Sequence, residues 1–151
     1  MKHELLAESP VGLLTLKSDG EHLTELRFGD RREGGETCRV LVEAAKQLAE
    51  YFAGVRREFS IPLAPEGTAF QQSVWAELRT IPYGSTVTYA EIAAGVGKVK
   101  ACRAVGGANN RNPIAIIVPC HRVIGANGSL IGYTGGLAVK EFLLSHERKH
   151  G

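Results

Sequence analysis

The chain of 151 residues has few cysteines, few aromatics and no long apolar run. Cys38, Cys102 and Cys120 are too few and too scattered for a disulfide framework, so the thiols are expected to be reduced and each needs its own explanation. The longest uninterrupted aliphatic stretch is Ile114 to Val118. That is far short of the ~20 apolar residues of a membrane-spanning helix, and Glu4 and Glu8 interrupt any signal-like start, which argues against a membrane protein. No histidine is spaced from a cysteine in a way that suits zinc, so no metal is expected. What remains, 44% hydrophobic and 23% charged, is the composition of a folded chain of one or two compact domains.

A further lack is local. Between Ile92 and Lys140 there is no acidic residue, while Lys98, Lys100, Arg103, Arg111, Arg122 and Lys140 lie there. Residues 1 to 66 carry nine Lys/Arg against twelve Asp/Glu, and residues 67 to 151 carry nine against four. A basic stretch of this kind suits a polyanion, although a solvated basic face without a partner has the same composition.

The apolar pattern predicts an α+β protein in two parts. Lys2 to Leu6, Leu13 to Leu16 and Leu23 to Phe28 read as a small antiparallel meander, the last two strands joined by an Asp19-Gly20 turn. Val40, Leu41, Ala44, Ala45, Leu48, Tyr51 and Phe52 recur at helical spacing, with Gly54 following as a stop. Residues 1–62 form the first domain on this reading, 63–67 a linker, and 68–151 a mostly helical second domain. In the second domain Thr68 caps a helix with Phe70, Val74, Trp75 and Leu78 on its inner face, and Thr88 with Glu91 forms a capping box that starts another. A turn at Gly95-Val96-Gly97 and a helix from about Val99 to Ala108 then complete a helix-turn-helix outline. The last helix is built of small residues, Ala101, Cys102, Ala104, Gly106, Gly107 and Ala108, with Arg103 alone projecting from its middle. Close packing against another helix and close approach to a nucleic-acid groove both account for that composition.

The apolar segment Ile114 to Val118 delivers Pro119-Cys120-His121-Arg122. Cationic neighbours favour a thiolate, the nucleophilic form of cysteine, whereas an inert buried Cys is the plainer reading. If the backbone here is extended, Cys120 and His121 point to opposite sides. A proton then passes through a bridging water, and the far nitrogen of His121 needs an acceptor, for which Glu147, after the last helical segment, is the candidate.

Pro119-Cys120-His121-Arg122-Val123, with Arg103 to Ala108 and Asn112-Pro113 before it and Gly132-Tyr133-Thr134-Gly135-Gly136 after it, resembles the O6-alkylguanine-DNA alkyltransferases (methylated-DNA-protein-cysteine methyltransferases). The strand, turn and helix order of residues 1–62 is similar to that family's small ribonuclease-H-like N-terminal domain. The resemblance implies that Cys120 accepts an alkyl group from guanine O6, or from thymine O4, in double-stranded DNA, irreversibly and once per molecule. It implies a relay of His121, a water and Glu147 behind the thiolate, and Tyr89 donating to guanine N3. Lys98, Lys100, Ala101, Arg103, Ala104 and Gly106 would face the DNA minor groove, Arg103 filling the gap left by a flipped nucleotide. Asn112, Val123, Tyr133, Thr134, Gly135 and Lys140 would line the pocket. No cofactor or metal, a monomer, and a cytoplasmic place (nuclear in a eukaryote) are implied as well. Ala115 and Ile131 depart from the family pattern at the pocket wall and leave the preferred alkyl group open. Two rival readings share the residues: a thiol hydrolase built on Cys120, His121 and Glu147, and a helix-turn-helix regulator whose cysteine is incidental.

Overall fold

The structure, a computed structural model, describes residues 2–128, 130, 133 and 135–151. They fall into two compact units, the first running to Glu66 with Pro113–Ala115 added, the second made of Gly67–Asn112 and Ile116–Gly151. Among the described residues no helix is long and apolar enough to cross a membrane.

In the first unit β1 (His3–Ala7), β2 (Leu14–Ser18) and β3 (Leu23–Phe28) form an antiparallel meander in that order. Leu5 lies opposite Leu16, and Leu16 opposite Leu26. The β2–β3 turn holds because the Asp19 carboxylate accepts the amides of Glu21 and His22, while Gly20 takes φ 105°, a conformation open mainly to glycine. Helix α1 (Arg39–Phe52) lays Leu41, Ala44, Leu48 and Tyr51 into the core with Leu14, Leu16, Leu23 and Leu26 of the sheet. Gln47, buried on the same helix, exchanges hydrogen bonds with Ser60 and so fastens the segment after it.

The free edge of β3 is covered twice. Leu23 pairs with Leu63, its amide donating to the Pro62 carbonyl and its carbonyl accepting from Ala64; Leu26 pairs with Ile114, between the Pro113 carbonyl and the Ala115 amide. Leu63 and Ala64, expected in the linker, are therefore edge-covering residues, and Pro113–Ala115 of the apolar segment belong to the first unit. An exposed edge would present unpaired amides and carbonyls to solvent or to another chain, and these two short pairings remove it.

The second unit begins with α2 (Ala69–Leu78). Thr68 and Gln71 form a reciprocal capping box, and Val74, Trp75 and Leu78 are buried, whereas Phe70 is only half-buried. The Trp75 indole donates to the Ala108 carbonyl at 2.9 Å, tying α2 to α4 (Cys102–Asn110). Between them α3 (Tyr89–Gly95) starts at the Thr88/Glu91 capping box. Helix α4 begins three residues later than expected, at Cys102, because the residues before it close a turn of their own, the Ala101 amide donating to the Lys98 carbonyl at 2.8 Å. Strands β4 (Val87–Thr88) and β5 (Val123–Ile124) pair in parallel, and α5 (Leu137–His150) closes the unit with Lys140, Leu143, Leu144 and Glu147 on its buried face.

The apolar segment is not extended throughout. After the single bridge at Ile114 it turns, with Ile116 at φ 69°, and ends in a 3-10 turn over Cys120–Arg122. Positive φ is a true outlier for a β-branched side chain. The buried Asn112 amide donates to the Val118 carbonyl at 2.8 Å and replaces the strand partner that this backbone lacks.

Gly67 is fixed by space. A Cβ there would run into the Trp75 ring and come within 2.7 Å of Gln71 Oε1, the acceptor in the α2 capping box. Gly67→Ala is expected to cost about 1–3 kcal/mol through overpacking and loss of the cap, read as a lower thermal midpoint; an unchanged midpoint contradicts this packing.

Candidate active site and nucleic-acid interface

Four segments of the second unit meet at the cysteine. The 3-10 turn presents Cys120, 2% exposed, with its amide on the Val118 carbonyl at 2.8 Å. Burial pushes the Cys120 thiol above its ordinary value, while hydrogen bonds from Asn112 and Tyr133 and the charge of Lys140 pull the other way. The sequence assigned the cationic help to His121 and Arg122. The structure assigns it to Lys140, a fully buried lysine whose ammonium donates to the Val123 carbonyl at 2.6 Å. With the net shift upward, the resting group is a thiol, and a proton must leave before sulfur can act as a nucleophile.

His121 is fully buried beside it, Nε2 lying 2.7 Å from Glu147 Oε2. Glu147 is inside α5 rather than after it. Burial works against its carboxylate, but the hydrogen bonds from His121 and Arg122 and the guanidinium charge outweigh that and hold the carboxyl well below the usual range. His121 is pushed down, first by burial and then by the charges of Arg122 and Lys140, against the pull of Glu147. The imidazole is therefore neutral at neutral pH, with its proton on Nε2 and its lone pair on Nδ1. Nδ1 is buried and meets no hydrogen-bond partner among the described residues.

Arg122 is not a DNA-facing cation. It is buried, with Nε donating to Glu147 Oε1 at 2.8 Å, Nη2 to Oε2 at 2.9 Å and Nη1 to the Ile81 carbonyl at 2.8 Å, and its guanidinium lies over the Tyr83 ring at 5.6 Å. Its partner is 25 residues away in the chain, a distance no local spacing reveals. Asn109 also escapes a reading of the sequence: it is buried on α4, and its amide donates to the Cys120 carbonyl at 3.4 Å. The available signal is a polar residue on the buried stripe Val105, Ala108, Asn109.

The remaining expected residues divide by exposure. Tyr89, the first residue of α3, is half-buried and sits near enough to Cys120 that burial and the thiolate charge both raise its phenol. A Cβ at Gly106 would meet the Tyr89 ring at 3.9 Å, so α4 passes directly by it. Val123 is buried, its amide bonded back to the Cys120 carbonyl. Tyr133 and Gly135 are half-buried, and Thr134 and Ile131 lie outside the described residues. Lys98, Lys100, Arg103, Ala104 and Arg111 are exposed, with Ala101 and Gly106 partly so. Val99, 69% exposed, stands between the two lysines of the turn before α4.

The two depressed groups make the fold acid-sensitive. Glu147 and His121 bind protons more weakly folded than unfolded, so the stability they contribute is present above their ordinary values of 4.5 and 6.5 and is lost as pH falls toward the folded values. The thermal midpoint is expected to fall on acidification below about pH 6.5 and again below about pH 4.5. His121→Gln should flatten the first step. A midpoint constant from pH 7 to pH 4 contradicts the assignment.

Comparison with known proteins gives this geometry its context. Residues 2–65 match the ribonuclease-like domain of 6-O-methylguanine DNA methyltransferase, and residues 69–149 match the DNA-binding domain of the same protein family. The methylated-DNA--protein-cysteine methyltransferase of Methanosarcina acetivorans is 55% identical over 147 residues, covering 93% of this chain and 94% of the relative. The constitutive enzyme of that name from Bacillus subtilis is 47% identical over 159 residues, covering 98% and 96%. The crystal structure of the Mycobacterium tuberculosis O6-methylguanine methyltransferase superposes with a TM-score of 0.92 at 47% identity, over 100% of this chain and 95% of that one. The Mycobacterium tuberculosis OGT in complex with DNA superposes with a TM-score of 0.91 at 49% identity, over 99% and 94%. Both domains match in order, and relatives of this identity span nearly the whole length, so the chain belongs to the 6-O-methylguanine DNA methyltransferase family.

Proposed function

We propose that the chain repairs DNA by moving the alkyl group of O6-alkylguanine, and of O4-alkylthymine, onto Sγ of its own Cys120, irreversibly and once per molecule. The observation that carries this reading is the buried thiol with a neutral histidine behind it, in a unit whose neighbouring helix exposes small and basic residues. No cofactor enters the reaction, which needs one nucleophile, one proton path and one leaving group. Double-stranded DNA is the partner, bound by a single copy of the chain in the cytoplasm.

The chemistry follows from the atoms at the site. A water between Cys120 and His121 carries the thiol proton to Nδ1, the nitrogen with the free lone pair, while Nε2–H stays on Glu147. Sγ attacks the alkyl carbon, the carbon–O6 bond breaks, and the electron pair goes into the guanine ring. Tyr89 donates a proton toward N3 as that charge develops, and the imidazolium restores the phenol. In balance, the proton that began on sulfur ends on guanine. The product is a thioether, which water does not cleave, so the protein cannot turn over.

A base inside a duplex cannot reach a buried sulfur, so the nucleotide has to rotate out of the stack. Arg103, exposed at the start of α4, is the side chain that takes its place. Lys98, Lys100 and Arg111 neutralise phosphates. The small residues of α4 fit this use better than helix packing does, because a Cβ at Gly107 would meet nothing within 4 Å. The division between Glu66 and Gly67 then separates a unit that carries no reacting group from one that carries them all.

Incubation with a duplex holding one O6-methylguanine is expected to restore guanine with a yield capped at one methyl per protein, and Cys120→Ser is expected to bind the lesion without transfer. Multiple turnover would favour the hydrolase, and full repair by the serine variant would remove the nucleophile. Arg103→Ala should slow reaction with duplex at least about tenfold more than reaction with the free O6-methylguanine base, which needs no flipping; equal losses contradict the role given to Arg103. Gly107→Ala should raise the thermal midpoint, a helical alanine being worth about 1 kcal/mol over glycine, and should weaken duplex binding. Tighter or unchanged binding contradicts close approach by α4.

A further inference from the structure

Glu147 and His121 both have a task in the transfer, and Arg122, which grips Glu147, has none so far. We infer that Arg122 is a positioning residue for the transfer reaction: its guanidinium fixes the Glu147 carboxylate in one orientation and thereby holds His121 with its proton on Nε2 and its base on Nδ1. The inference rests on the proposed function, since it names what orients the proton acceptor of that site.

The geometry is a two-pronged clamp. Nε and Nη2 donate to the two oxygens of Glu147 at 2.8 and 2.9 Å, so the carboxylate can neither turn about its last bond nor offer a different oxygen without breaking a charged hydrogen bond. Oε2 is the oxygen shared with His121 Nε2, at 2.7 Å. The third prong, Nη1 on the Ile81 carbonyl at 2.8 Å, anchors the guanidinium to backbone, and the Tyr83 ring covers it. The Gly84 amide adds a longer contact to Oε1 at 3.4 Å. A carboxylate gripped in this way accepts from Nε2 and cannot donate to it, which excludes the tautomer with its proton on Nδ1 and leaves that nitrogen open to receive one.

The charges around the pair act in the same sense. His121 and Arg122 face Glu147 from the 3-10 turn, Tyr83 lies over Arg122 from the loop after α2, and on α5 itself Lys140 is two turns away on the same face, its charge bearing on Cys120 and His121. Removing the guanidinium takes away one of the two groups that hold Glu147 ionised, and also one of the two cations that press His121 toward the neutral form. Both changes let protons on at higher pH. Loss of Arg122 is therefore expected to displace the acid side of the pH profile upward, by about 1–3 pH units, the usual effect of one close opposite charge. A residue that merely filled space would lower the rate at every pH and leave the profile in place.

The test is the first-order rate of methyl transfer to Cys120 from saturating duplex containing O6-methylguanine, read by intact mass across pH 5 to 9, for the wild-type protein, Arg122→Met and Arg122→Lys. Saturation separates the step from DNA affinity, which is expected to change little because Arg122 is buried. Arg122→Met should lose at least about tenfold at neutral pH with its acid limb moved up. Arg122→Lys keeps the charge but not the fork, so it should recover part of the rate with its limb at the wild-type position. If Arg122→Met does not fold, the 15N shifts of His121 in the wild-type protein carry the test, with Nε2–H retained from pH 8 to pH 6 expected. An unmoved acid limb in Arg122→Met, the same limb position in the lysine and methionine variants, or a tautomer mixture at His121 overturns the positioning role while wild-type transfer leaves the proposed function standing. Loss of affinity without loss of rate returns Arg122 to the DNA surface. No transfer by the wild type removes both readings.

Discussion

Burying a sulfur that must become an anion is the constraint around which the second unit is arranged. Removed from water, the Cys120 thiol holds its proton more tightly than an exposed cysteine does. Groups packed around it answer that cost in different ways: Asn112 and Tyr133 supply hydrogen bonds and Lys140 supplies charge, while in the proposed reaction His121 takes the proton. The result is a thiol with little access to ordinary electrophiles in solution. In the proposed reaction it becomes a nucleophile when a base fills the pocket and the relay is complete.

The groups behind Cys120 form a buried, hydrogen-bonded array, and such an array is stable when each member has its partners. Glu147, Arg122, His121 and Lys140 are all buried, and each has a hydrogen bond within 2.6–2.9 Å. Removing Arg122 or His121 leaves the Glu147 carboxylate buried with fewer partners, which costs more than such a pair is worth in water. Helix α5 makes the array possible by carrying Lys140 and Glu147 seven residues apart on one face, so two charges enter the core together with Leu143 and Leu144. The backbone near Cys120 bears strain as well. Ile116 adopts a left-handed conformation on the way from the edge-covering residues Pro113–Ala115 to the 3-10 turn, a departure of the sort that accompanies functional sites.

Local chemistry is legible in the sequence and long-range chemistry is not. The capping boxes at Thr68 and Thr88, the strand Leu23–Phe28 and the periodic helix α1 all follow from residues within a few positions of one another. So does the low profile of α4. The segment before Cys120 looks extended in sequence because apolar, β-branched residues resemble a strand wherever they occur, and periodicity does not register that the Asn112 side chain can stand in for the strand partner. Arg122 looks like a phosphate contact because its neighbours in sequence are basic; its true neighbours are Glu147, Ile81 and Tyr83. The acceptor for His121 follows from what its far nitrogen requires, whereas the clamp on that acceptor exists only in the folded chain.

The chain offers three thiols in different settings: Cys102, exposed at the start of α4, Cys38, half-buried in the first unit, and Cys120, buried. Reactivity judged by access alone would favour Cys102. The proposed proton path and pocket would instead put the reaction on Cys120, the least accessible of the three. Peptide mapping by tandem mass spectrometry after reaction with O6-methylguanine duplex measures this directly. S-methylcysteine is expected at Cys120 alone, with Cys38 and Cys102 unmodified. Methyl on Cys102, or spread among the three in proportion to exposure, would contradict a reaction governed by the buried relay.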